Sequence, residues 1–136
     1  MNGAWFGDSY DIVKRFFVGE LQSLGYRVCV DPMPSGDWES HEAAFLRFVG
    51  VIHVRDAEET RQSALLIDPD TGIGNRPSRK HASLDAIVAH LQRHEIVMVF
   101  DQSFSRSGVA AEQIQGKLQR LQGLSLIHIS EPTRPY

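Results

Sequence analysis

Ala64-Leu65-Leu66-Ile67-Asp68-Pro69-Asp70-Thr71-Gly72 is a run of four apolar residues that stops abruptly in turn chemistry. Unbroken apolar character without polar alternation is the signature of a strand covered on both faces, and Asp-Pro-Asp-Thr-Gly predicts a tight loop after it. The same pattern recurs on either side. Tyr26 to Val30 is a short β-rich run ending at Asp31-Pro32, and Ile96 to Phe100 is a second uninterrupted apolar run ending at Asp101. Val51 to Val54 predicts a further strand.

Helices are predicted between these runs. Tyr10 to Leu24 carries Ile12, Val13, Phe16, Phe17, Leu21 and Leu24 at helical spacing, with Asp8 or Ser9 as N-cap and Gly25 as the stop. Trp38 to Val49 is a second helix. Ser83 caps a third, whose Leu84, Ile87, Val88 and Leu91 share one face, and Val109 to Gln122 is a fourth with Ile114, Leu118 and Leu121 inward. Helices alternating with strands predict a three-layer, Rossmann-like α/β domain with a mainly parallel sheet.

Charge and composition narrow the function classes. With 42% hydrophobic and 23% charged residues in 136, the chain has room for one ordinary globular core. The longest apolar runs fall well short of the roughly 20 residues needed to cross a bilayer, so no membrane partner is expected. Met1 to Asp8 lacks a signal-peptide pattern and Cys29 has no internal partner, so a reducing, cytoplasmic setting is the expectation. A net charge of -3 provides no global attraction for nucleic acid, which would need a local basic patch such as Arg76, Arg79 and Lys80.

Leu124 to Arg134, Leu-Ser-Leu-Ile-His-Ile-Ser-Glu-Pro-Thr-Arg, resembles the in-frame translation of a transposase mosaic-end adapter used in sequencing libraries. Residues 124–136 are therefore expected to be a non-native tail, and residues 1–123 a single domain truncated at its C-terminus. Read as native sequence instead, the alternation of Leu124 to Ile129 would suit a strand.

In parallel sheets ligands gather outside the carboxyl ends of the strands. Asp31, Asp68 with Asp70, and Asp101 all stand at predicted strand ends, so parallel topology would bring these carboxylates to one rim. Turn and cap duty is the competing explanation for each.

Asp8-Ser9-Tyr10-Asp11 to Lys14, Val28-Cys29-Val30-Asp31 with Gly36, and Leu66-Ile67-Asp68-Pro69-Asp70-Thr71-Gly72 together resemble a group of bacterial and phage proteins related to class I S-adenosylmethionine-dependent methyltransferases. That group includes three-Cys-motif partner proteins and ribosomal RNA adenine methyltransferases. The resemblance covers roughly residues 6 to 106. It implies S-adenosylmethionine as cofactor, held by Asp31 and Gly36 with Asp8 and Lys14 nearby, and Asp68 with Pro69 facing the base to be methylated. Two features depart from the pattern. Pro32 and Pro34 replace the glycine-rich loop and remove backbone donors, and only 37 residues separate Asp31 from Asp68, where two further strand units belong.

The expectation is thus a nucleotide- or nucleic-acid-directed Rossmann-like protein of the methyltransferase-like group, active or catalytically degenerate. A metal-dependent phosphoesterase or nuclease is the enzymatic alternative. There Asp68, Asp70 and Asp101 act in catalysis, Asp68 and Asp70 hold Mg²⁺ or Mn²⁺, and Arg76, Arg79 and Lys80 neutralise a phosphate. The non-enzymatic alternative is a module binding a nucleotide or a partner protein. Among minor candidates, Gln102, Ser103 and Arg106 could contact a ligand, while Ser105 and Ser103 lack a nucleophile elbow. His90 and His94 read as a surface pair rather than metal ligands, Cys29 as a core residue, and Trp5, Phe6 and Trp38 as core aromatics rather than base-stacking ones.

Overall fold

The computed structural model describes residues 2–58, 60, 62–102 and 108–129. Four strands form a parallel sheet: β1 (Arg27–Asp31), β2 (Ile52–His53), β3 (Ser63–Ile67) and β6 (Ile96–Val99), in the order β2-β1-β3-β6. Cys29 is in register with Ile52 and Leu65, and Leu65 with Val97. Between the last two strands, β4 (Ile73–Gly74) and β5 (Ala82–Ser83) make a separate two-residue parallel pair. The helices are α1 (Ser9–Ser23), α2 (Glu42–Val49), α3 (Leu84–His90) and α4 (Ala110–Ile129).

Strand side chains alternate across the sheet, and the two faces bury different helices. Val28, Val30, Ala64 and Leu66 meet Val18 of α1 and Phe45 and Val49 of α2, with Trp38 packed edge-on to Phe45 at 5.2 Å. Cys29, Leu65 and Ile67 meet Leu84 and Ile87 of α3, with Leu121 and Leu124 of α4 at the margin. This is the expected three-layer α/β arrangement. All five residues of β3 are buried, each large aliphatic one worth about 2 kcal/mol of transfer free energy, so its continuous apolar run has a direct physical cause.

Helix orientation departs from the sequence expectation. On α1 the buried positions are Asp11, Lys14 and Val18, whereas Ile12 is 59% and Phe16 60% exposed, with Val13, Phe17 and Leu24 exposed as well. A buried ion pair, described below, has taken the inward stripe that hydrophobicity alone assigned to the apolar residues. On α4, Ile114 and Leu118 are likewise exposed, and of the three residues expected inward only Leu121 packs on the core, beside Leu124. The helix passes Gly123 and continues to Ile129, so Leu124 to Ile129 is helical, not the strand its alternation would suit. The second helix begins at Glu42 rather than Trp38, and β2 is only two residues long.

Capping follows the local sequence. Asp8 accepts from the N–H groups of Tyr10 and Asp11 at 3.0 and 3.1 Å, fixing the start of α1. Gly50 ends α2 in the left-handed conformation (φ 83°), and its N–H bonds Leu46 O.

Candidate functional site at the carboxyl edge of the sheet

β1 lies between β2 and β3, so the chain leaves β1 toward one side of the sheet and returns on the other. The carboxyl ends of β1 and β3 therefore flank a topological switch point, where open α/β sheets form a crevice. A cavity of about 260 Å³ lies at this edge, walled by Asn2, Asp8, Tyr10, Lys14, Asp68, Pro69, Asp70 and Gln102.

Its chemistry centres on a buried trio. Lys14 Nζ donates to Asp11 Oδ1 and to Asp68 Oδ2, each at 2.9 Å. Asp11 is fully buried, and its other oxygen accepts the Gly7 N–H at 2.7 Å. The ammonium also lies 5.0 Å from the Phe100 ring centroid and 5.8 Å from that of Phe45, a cation–π setting worth more in a desolvated site than on the surface.

Burial pulls the Lys14 pKa down, but the Asp68 charge and the hydrogen bonds to Asp11 and Asp68 outweigh it. The group holds its proton above the ordinary lysine value. Asp68 moves upward too: burial raises its pKa, and Lys14 opposes this only in part. Two carboxylates on one ammonium raise Lys14, while burial, only partly offset by that ammonium, raises Asp68.

The predicted site residues separate into groups. Asp8, Lys14, Asp68 and Asp70 share the cavity wall, and Asp70 is hydrogen-bonded by Ser35 Oγ from the loop after β1. Asp31 ends β1 on the same edge, but its Oδ1 accepts the Met33 N–H at 3.0 Å, which is turn duty. Gly36 (φ 61°) packs against the Asn2 side chain, where a Cβ would come within 3.1 Å. Neither Asp31 nor Gly36 lines the cavity.

Asp101 follows β6 at the same edge but serves the other layer. Its Oδ1 accepts the Ile73 N–H at 2.9 Å and its Oδ2 accepts from Lys117 of α4 at 2.6 Å. Arg76, Arg79 and Lys80 are exposed on the loop between β4 and β5 and do not line the cavity. The loop is nevertheless tied to its rim, because the Thr71 N–H and Oγ1 both donate to Lys80 O, at 3.0 and 2.8 Å.

The alternative expectation is divalent-metal binding by Asp68 and Asp70. Among the described residues no three His, Cys, Asp or Glu side chains converge as a ligand set, and lysine ammonium groups already contact Asp68 and Asp101.

Gln102 lies on the cavity wall, whereas Ser103, Ser105 and Arg106 are outside the described residues. Cys29 is buried in the core, and burial raises its thiol pKa. Trp38 is core, and Phe6 packs edge-on to Phe45 and Phe48. The side chain of Trp5 is not among those described. His94 is not a surface residue: it is 8% exposed, with Nδ1 3.0 Å from Ser63 Oγ. Sequence reasoning missed Asn2, which carries no motif, Tyr10, which lies in the quoted Asp8 to Lys14 stretch but was given no role, and Asp11 as the partner of Lys14. The i, i+3 spacing of Asp11 and Lys14 was the available signal.

Comparison with protein-family models, with curated proteins and with solved structures finds no match to this chain, so the geometry of the site is what its function must be argued from.

Proposed function

We propose that this chain is a nucleotide- or nucleic-acid-directed Rossmann-like protein of the methyltransferase-like group, and that its cavity takes the cationic end of S-adenosylmethionine. The observation that carries this is the sign of the wall: among the described residues, Asp8, Asp68 and Asp70 line the cavity together with one cation, Lys14. A phosphate placed there would meet three carboxylates, whereas an ammonium or a sulfonium would be attracted and hydroxyl or amine donors would find acceptors. The volume, about 260 Å³, suits one end of such a molecule rather than all of it.

The residues fit this group in part. Lys14 fixes Asp68 from behind, and Gln102 and Tyr10 add polar atoms at the wall. The loop after β1 does not fit a wrapping role, since Pro32 and Pro34 offer no N–H and the Met33 N–H is engaged by Asp31. Bound S-adenosylmethionine would supply a transferable methyl group. What the chain contributes is a pre-formed acidic wall and, on the exposed Arg76, Arg79 and Lys80 loop beside it, cations for the backbone of a nucleic-acid partner.

Isothermal titration of the full chain with S-adenosylmethionine is the test. Binding that weakens at least tenfold in Asp70→Asn is expected, and absence of measurable heat at millimolar cofactor would refute the proposal.

A further inference from the structure

We propose that the loop closed by β4 and β5, together with Arg120 of α4, takes the phosphodiester backbone of a nucleic acid by charge alone. A nucleic acid is the partner class named above for the neighbouring cavity, and this role for the loop rests on that reading. From Thr71 to Leu84 the chain carries Arg76, Arg79 and Lys80 and no Asp or Glu, although its net charge is -3. All three cations are exposed, and none forms an ion pair among the described residues. Arg27 and Arg55, elsewhere on the surface, are answered by Glu58 and Glu42.

The loop is ordered before any partner arrives. Ile73 pairs with Ala82 and Gly74 with Ser83, which brings its two ends together. Within it, Ser78 Oγ accepts from the N–H groups of Lys80 and His81, each at 3.1 Å. Thr71 holds Lys80 O at the cavity rim, and on the other side Arg120 Nη1 donates to Asn75 Oδ1 at 2.7 Å. An exposed fourth cation therefore stands against the loop from α4. Asp85 lines the same hollow as Asn75 and Arg120 and offsets part of the Arg120 charge, so the three loop cations carry most of the attraction. A loop fixed in this way loses little conformational freedom on binding.

Chemistry selects the partner. Entering an anionic membrane takes large apolar side chains, and Arg76-Pro77-Ser78-Arg79-Lys80 offers none. Reading bases takes an available ring or amide. Here the His81 ring is hydrogen-bonded to Thr71 and packed on Gly74, and the Asn75 amide oxygen is held by Arg120. Positive charge on long side chains is what remains, and phosphates answer it without regard to sequence.

Fluorescence anisotropy of the full chain, without cofactor, with a labelled mixed-sequence single strand and with the matching duplex tests this. Four phosphate contacts should give a slope of about -3 to -4 in log affinity against log salt. Changing Arg76, Arg79 and Lys80 together to Gln should reduce it to about -1 with unchanged circular dichroism, because all three positions are exposed. Arg27→Gln, at the opposite edge of the sheet, should leave binding as it was. Tighter binding of the single strand or of the duplex identifies the form of the backbone, and either supports the proposal. It is overturned by an absence of binding to both at low salt, by an undiminished slope in the triple variant, or by strong preference for one base sequence. Capture by phosphatidylserine vesicles with no oligonucleotide binding also overturns it. Calorimetric binding of S-adenosylmethionine should survive in the triple variant, so failure of the loop and failure of the cavity are told apart.

Discussion

The ammonium of Lys14 and the carboxylate of Asp68 lie 2.9 Å apart, 54 residues apart in sequence and both almost wholly buried. The contact joins the first helix to the end of the central strand β3 and forms the inner wall of the cavity. Removing one partner of a buried pair leaves an uncompensated charge, which typically costs about 3–5 kcal/mol. Lys14→Met should therefore destabilise the fold by that order in urea denaturation. The double change Lys14→Met with Asp68→Asn should recover part of the loss. A single-variant loss below about 1 kcal/mol would show that the pair does not matter as described.

Titration of the same trio gives a pH dependence of definite sign. Lys14 holds its proton more tightly when folded, so its contribution is complete below the ordinary lysine value of 10.5 and is lost as pH rises through the higher folded value. Asp68 also binds its proton more tightly when folded. Its contribution is complete below 3.8, the ordinary aspartate value, and is lost as pH rises through the elevated folded value. Denaturation profiles of the wild type and Asp68→Asn should consequently diverge just above pH 3.8, the wild type losing stability relative to the variant. Divergence in the opposite sense would contradict the assignment.

Asp8 both caps α1 and contributes charge to the cavity, and the two duties can be separated. Asp8→Ala should cost about 1 kcal/mol through the lost cap. Asp8→Asn keeps a capping acceptor, so it should leave stability within a few tenths of a kcal/mol while weakening a cationic ligand. Equal stability losses in the two variants, measured by thermal denaturation, would refute the capping account.

Gly19 sits within α1 with open space where a Cβ would go, whereas Gly50 needs its left-handed backbone. Gly19→Ala should stabilise by about 0.5–1 kcal/mol, and Gly50→Ala should destabilise by about 1 kcal/mol. Melting temperatures of the two variants should therefore move in opposite directions.

The central strand was readable because burial on both faces leaves a chemical trace: β3 had to be apolar from Ala64 to Ile67, and a turn had to follow, whereas β6, equally apolar, is only half-buried at the sheet edge. Asp8, Asp68 and Asp70 were legible as strand-end or helix-start acids for the same reason. The orientation of α1 was not. Periodicity assumes that apolar residues point inward, and here Asp11 and Lys14 occupy that stripe because they neutralise each other and Asp68, a relation between distant parts of the chain that spacing cannot express. Asp101 was correctly put at a strand end, yet which layer its side chain joins depends on Ile73 and Lys117, and no local pattern encodes that choice. Tyr10 and Asn2 belong to the cavity only through the way the N-terminal segment packs, with Asn2 bridging Ser35.

That bridge bears on how the protein is handled. Asn2 reaches the mouth of the cavity, so a fusion partner or affinity tag appended ahead of it emerges beside the very opening a ligand would use. Titrations performed with and without such an extension are therefore not interchangeable.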